Sequence, residues 1–150
     1  MPNTRLLFTV AAIALSGFTC RAEIMAQKVV AEVKAAHPEI TSLEIAATRP
    51  EREGCTTVAA TEAKEIGEKC DHDEFTAMKT NQPFVEQEKD EFDATLPLHD
   101  AAGKIIGTVG MDIQAAPGQT KETATRLAKQ IAAELEKRFP SKEKLFEAVK

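Results

Sequence analysis

FDATLPLHDAAGKIIGTVGMDI, residues 92–113, reads as a β-hairpin. Phe92, Ala94, Leu96 and Leu98 alternate with Asp93, Thr95 and Pro97, which gives one strand an apolar face and a mostly polar one. HDAAG follows with turn chemistry: Asp100 can accept from backbone two residues on, and Gly103 is free to take positive φ. In the return strand Ile105, Gly107, Val109, Met111 and Ile113 oppose Lys104, Ile106, Thr108, Gly110 and Asp112. Asp93 and Thr95 turn away from Phe92 and Leu96. They meet either solvent or a covering loop, and an ordinary one-sided antiparallel sheet favours solvent.

Outward from the hairpin, Gln114 to Gln119 (QAAPGQ) is a linker. An amphipathic helix then runs from Thr120 to Phe139, with Ala124, Leu127, Ala128, Ile131, Ala132 and Leu135 on one face. Thr120 is placed to cap its start, and Pro140 stops it. Residues 140–150 form a short tail with one more helical turn through Leu145 and Phe146. Upstream, Pro83 to Lys89 is a strand that turns at Asp90-Glu91. Glu62 to Gln82 mixes charge with Ile66, Gly67 and Phe75; it reads as a loop over the sheet, with a short helix opening at Asp73-Glu74. Cys55 to Thr61 and Ser42 to Thr48 suit two further strands, joined by the polar turn RPEREG. Glu23 to His37 carries Met25, Val29, Val30, Val33 and Ala36 at helical spacing and ends at Pro38. The expected fold is α+β, an antiparallel sheet of about five strands with the helices over residues 23–37 and 120–139 packed on one side.

The first 22 residues have the form of an export signal: Arg5, an apolar run LLFTVAAIAL, and small or polar residues leading to Cys20-Arg21-Ala22. That run is too short to span a bilayer, which takes roughly 20 apolar residues. A periplasmic or secreted protein is expected, with residues 23–139 as one domain and no stable membrane span. Removing the leader takes two arginines and no acid, moving the net charge from −5 to −7. An acidic chain without a basic stripe is a poor partner for nucleic acid or anionic lipid.

The pattern AATEAKEIGEKCDHDEF followed by LPLHDAAGKIIGTVGMDI resembles the extracytoplasmic PAS-like sensor domains called Cache or PDC domains. Ile66-Gly67 falls at their "iG" step, and Pro97, Asp100, Gly103 and Gly107 at the spacing of their paired strands. The likeness covers roughly residues 23–113 and implies a PAS-like fold with a ligand pocket. Two departures stand out. The chain carries no second membrane helix or output domain, and it has no Trp and no Tyr, the residues that surround amino acids and amines in such domains.

Cys55 and Cys70 remain after leader removal. An even pair in an exported protein points to a disulfide. Cys70-Asp71-His72-Asp73-Glu74 is dense in donors, and Cys55, His37 or His99 would have to join them to complete a zinc set, but the spacing fits no zinc signature. C-x-x-C-H is absent, Ser42 and Ser141 lie outside any G-x-S-x-G setting, and no phosphate loop appears. The expectation is therefore a non-catalytic small-molecule-binding domain with no metal and no cofactor. Its ligand contacts are sought at Arg49, Thr61, Asp93 and Thr95. The rival expectation is an interaction module that docks a protein partner or a second copy through the alanine-rich face of the C-terminal helix.

Overall fold

The structure, a computed structural model, describes residues 22–150; the export signal expected over residues 1–22 lies outside the described residues except for Ala22. In chain order the elements are α1 (Met25–Ala36), β1 (Ile40–Thr48), β2 (Cys55–Ala60), α2 (His72–Thr80), β3 (Phe84–Glu88), β4 (Glu91–His99), β5 (Ile105–Gln114), α3 (Lys121–Arg138) and α4 (Lys142–Phe146). A 3-10 turn at Ala63–Glu65 precedes α2. The chain is α+β. Its strands form one five-stranded sheet in the order β2-β1-β5-β4-β3, antiparallel throughout.

The hairpin pairs as its alternation requires, with Phe92 opposite Ile113, Ala94 opposite Met111 and Leu96 opposite Val109. In the turn, Asp100 Oδ1 accepts from the N–H groups of Ala102 and Lys104, both at 2.9 Å. Gly103 takes φ +78°, a conformation open to glycine because it has no Cβ to clash. β1 then joins the far side of β5 and brings Leu43, Ile45 and Ala47 to the same face. That approach is close at Gly107, where a Cβ would fall 2.3 Å from the Ala46 carbonyl oxygen.

Two helices cover the apolar face. α1 buries Ala26, Val29, Val30 and Val33 over β1 and β2. Gln27 pins it there: its side chain donates to the Ala60 carbonyl at 2.9 Å and accepts from the Ala60 N–H at 3.1 Å. α3 buries Ala124, Ala128, Ile131, Ala132 and Leu135, chiefly against β4. Its alanine stripe is thus consumed inside the chain. Thr120 caps α3 as expected, accepting from the Thr123 N–H at 3.3 Å. Residues 140–150 close the same core: Leu145 is fully buried, and Ile24 and Ala148 form an antiparallel bridge.

The helices over residues 23–37 and 120–139 thus share one side of the sheet, as the sequence reading expected, and the short helix of the residue 62–82 cover takes the other. α2 lies across β4 and β5 on the opposite face. Its start is set by a capping box, in which Asp71 accepts from the Asp73 N–H at 3.0 Å and Glu74 accepts from the Asp71 N–H at 2.9 Å. Beneath it Thr95 and Thr108 are only 6% and 1% exposed, so Thr95 does not face solvent. Alternation says which residues share a face, but covering that face is a long-range event. Among the described residues no helix is long and apolar enough to cross a membrane.

Candidate functional site

Between the second face of the sheet and the residue 62–82 cover lies a cavity of about 180 Å³. Its floor is built by register. Asp93 on β4 stands directly opposite Asp112 on β5, and Asp112 in turn is opposite Ser42 on β1. Glu44, two residues along β1, is paired with Gly110. Glu65 and Glu68 reach in from the cover. The glycine makes the space: a Cβ at position 110 would sit 2.8 Å from Glu44 Oε1.

Hydrogen bonds hold part of the floor in place. Thr57 Oγ1 donates to Glu44 Oε2 at 3.1 Å, and Ser42 Oγ donates to Asp112 Oδ2 at 2.7 Å. No lysine or arginine forms an ion pair with these carboxylates among the described residues. The electrostatic consequence is large. Burial pushes the Glu44 carboxyl up to about 7, with Glu74, Glu65 and Asp93 adding to the rise. Burial first, then the charge of Asp112, raises Asp93 to about 6. Glu65 is raised in the same direction by its own burial. Like charges opposite one another across strands oppose folding, so the arrangement is held by its surroundings rather than by its own contacts. Among the described residues no three acidic, histidine or cysteine side chains converge to hold a metal ion; the carboxylates line a space instead.

The cover is fastened at both ends. Cys55 and Cys70 form the disulfide, with Cα atoms 5.4 Å apart. Around it Thr57 N–H donates to Glu68 O at 2.9 Å, Gly67 N–H to Thr57 O at 2.9 Å and Cys70 N–H to Cys55 O at 3.1 Å. At the other end of α2, Asn81 and Glu136 share His99: Nε2 lies 2.7 Å from Asn81 Oδ1 and Nδ1 lies 2.7 Å from Glu136 Oε1. His72 adds an edge-on ring contact with Phe84, centroids 6.1 Å apart.

Of the four ligand contacts sought from sequence, the structure brings only Asp93 into this cavity. Thr95 is buried two residues along the same strand face. Thr61 follows β2 and holds to β1, its N–H donating to the Leu43 carbonyl at 2.9 Å and its hydroxyl accepting from the Leu43 N–H at 3.1 Å. Arg49 lies at the far end of β1, with its guanidinium 5.7 Å from the centre of the Phe146 ring. Sequence reasoning missed Glu44, Glu65 and Glu68, and it read the Asp93–Asp112 pair as part of a solvated sheet face rather than counting Asp112 among the ligand contacts. Its one available signal was Gly110, a glycine inside a strand, which marks a close approach to the backbone. No family model matches this chain, and no curated protein matches it.

Proposed function

We propose that this is an exported, non-catalytic domain that binds a small organic cation, an amine or guanidine, in the cavity beneath the residue 62–82 cover. The observation that carries the reading is the group of carboxylates lining one space, Glu44, Asp93, Asp112, Glu65 and Glu68, with no lysine or arginine among the described residues paired to it. A ligand bringing positive charge and several N–H donors relieves the mutual repulsion and gives each acceptor a partner, whereas a neutral donor leaves the repulsion in place and an anion adds to it. The volume limits the guest to a few non-hydrogen atoms. The lack of Trp and Tyr argues that recognition is ionic rather than through an aromatic cage.

The order of helix, two strands, cover and three strands agrees with what the Cache/PDC resemblance implies. The leader pattern and the Cys55–Cys70 disulfide both favour an oxidising compartment outside the cytosol. Docking through the C-terminal helix has less support, because the alanine face it would use is already buried against β4.

Calorimetric titration at pH 8 with methylguanidine and putrescine, against acetamide and acetate as controls, tests the proposal. Saturable heat is expected from the cations alone, weakened at least tenfold by Asp93→Asn or Glu44→Gln, since each removes a charge from a partly desolvated site. Equal binding of the cations by these variants would show that the cavity is not the site. Absence of binding by any cation would end the proposal.

A further inference from the structure

The same cover leaves a second, chemically opposite space at its other end. A groove of about 410 Å³ runs between α2 and the ends of β1 and β5, walled by Phe75, Met78, Ala47, Ile105 and Ile106. Lys142, at the start of α4, supplies its single charged residue. Phe75 is 54% exposed and, with Ile66, is one of only two large apolar side chains left exposed among the described residues. Phe75 is more than a stray surface phenylalanine on two counts. Ala77, the residue α2 uses to pack on the sheet, is fully buried, so the helix does not need Phe75 for its own docking. Phe75 and Met78 are three apart on the helix and therefore share one face, the face that borders the groove.

Charge decides the occupant. Lys142 makes no ion pair with any described residue, while the acids of the other cavity lie on the far side of Gly107 and Thr108 along β5. We infer that the groove is a second ligand site, taking a small amphipathic monoanion, a carboxylate on an aryl or alkyl body. The body lies between Phe75, Met78 and Ile106, and the carboxylate meets the Lys142 ammonium. One lysine suits one negative charge; a phosphate dianion asks for more donors than the groove offers and is further opposed by the net charge of −5. The volume is in the range of small-molecule sites, which are mostly apolar with few orienting polar groups. This inference stands apart from the cation site and uses none of its residues.

The test is an amide-resonance titration of the full chain with 4-phenylbutyrate and with its neutral amide. Saturable shifts are expected around Phe75, Met78 and Ile106, with the amide binding about tenfold more weakly because it forgoes the charge-assisted contact. Lys142→Gln should erase that difference, and Phe75→Ser should weaken both probes; both positions are solvent-accessible, so the fold is retained. Asp93→Asn, in the other cavity, should leave phenylbutyrate binding unchanged, which separates this site from the first. Failure to saturate, equal affinity for acid and amide in the unaltered protein, or a dimer through Phe75 that persists in excess phenylbutyrate would each overturn the inference, the last by showing that a second copy covers the groove.

Discussion

Replacing Glu44 by glutamine removes an ionisation that the fold opposes while keeping the shape and the hydrogen bond from Thr57. The carboxyl rises from an ordinary 4.5 to about 7 because it is largely out of water and faces other acids. Each pKa step of one is worth about 1.4 kcal/mol, so full burial would put the opposition near 3 kcal/mol. The carboxylate keeps some contact with solvent, and a value of roughly 1–2 kcal/mol is the better expectation. The sign follows from proton binding. A group whose folded value is raised binds its proton more tightly in the native state, so its contribution is intact below pH 4.5 and is lost as pH climbs to about 7. Glu44→Gln should therefore match the unaltered protein near pH 4.5 and exceed it at pH 8. Urea unfolding at both pH values measures this directly, without added ligand. A stability difference that is the same at both pH values, or a variant less stable at pH 8, would refute the reasoning.

Other outcomes follow from the same geometry. Gly107→Ala places a Cβ 2.3 Å from backbone oxygen and should cost several kcal/mol or prevent folding, whereas Gly110→Ala meets only the movable end of Glu44 and should fold while losing cation binding; thermal melts and calorimetry separate the two. Reducing the Cys55–Cys70 bridge or replacing both cysteines by serine reopens a 15-residue separation and should lower stability by about 3 kcal/mol in urea. Leu145→Ala, beneath α1, should lose about 2–4 kcal/mol by the same assay, which an inert tail would not. His37 sits between Glu134 at 2.8 Å and Glu39 at 3.0 Å, and these hydrogen bonds raise its pKa. Its contribution is present below the usual imidazole value and is lost as pH rises through the raised one, so a His37→Gln variant should differ most at acid pH, read by a ring-proton titration alongside unfolding.

Much of this architecture is written locally. The alternation of Phe92 to Leu98, the Asp100–Gly103 turn and the Thr120 cap each depend on neighbours within a few residues, and each forms as read. The acidic cavity does not. Glu44 looks like the polar half of an alternating strand, and only the pairing of β1 with β5, some 65 residues apart in the chain, sets it against Gly110. Asp93 and Asp112 become a like-charged pair through a register that hydrophobic pattern implies but whose meaning depends on α2 covering that face. Arg49 and Thr61, sought as ligand contacts from sequence, stand away from this cavity: the Arg49 guanidinium lies near the Phe146 ring and Thr61 bonds the Leu43 backbone.

The joining of Glu23 to Val149 and of Met25 to Glu147, at 2.8 and 2.7 Å, has a mechanical consequence. Residues 22 and 150 leave the body side by side, so tension applied to both would load these bonds in turn, like a zipper, rather than all at once. The first piece to peel away would be α4, carrying Lys142 out of the apolar groove while the sheet and its acidic chamber stayed whole.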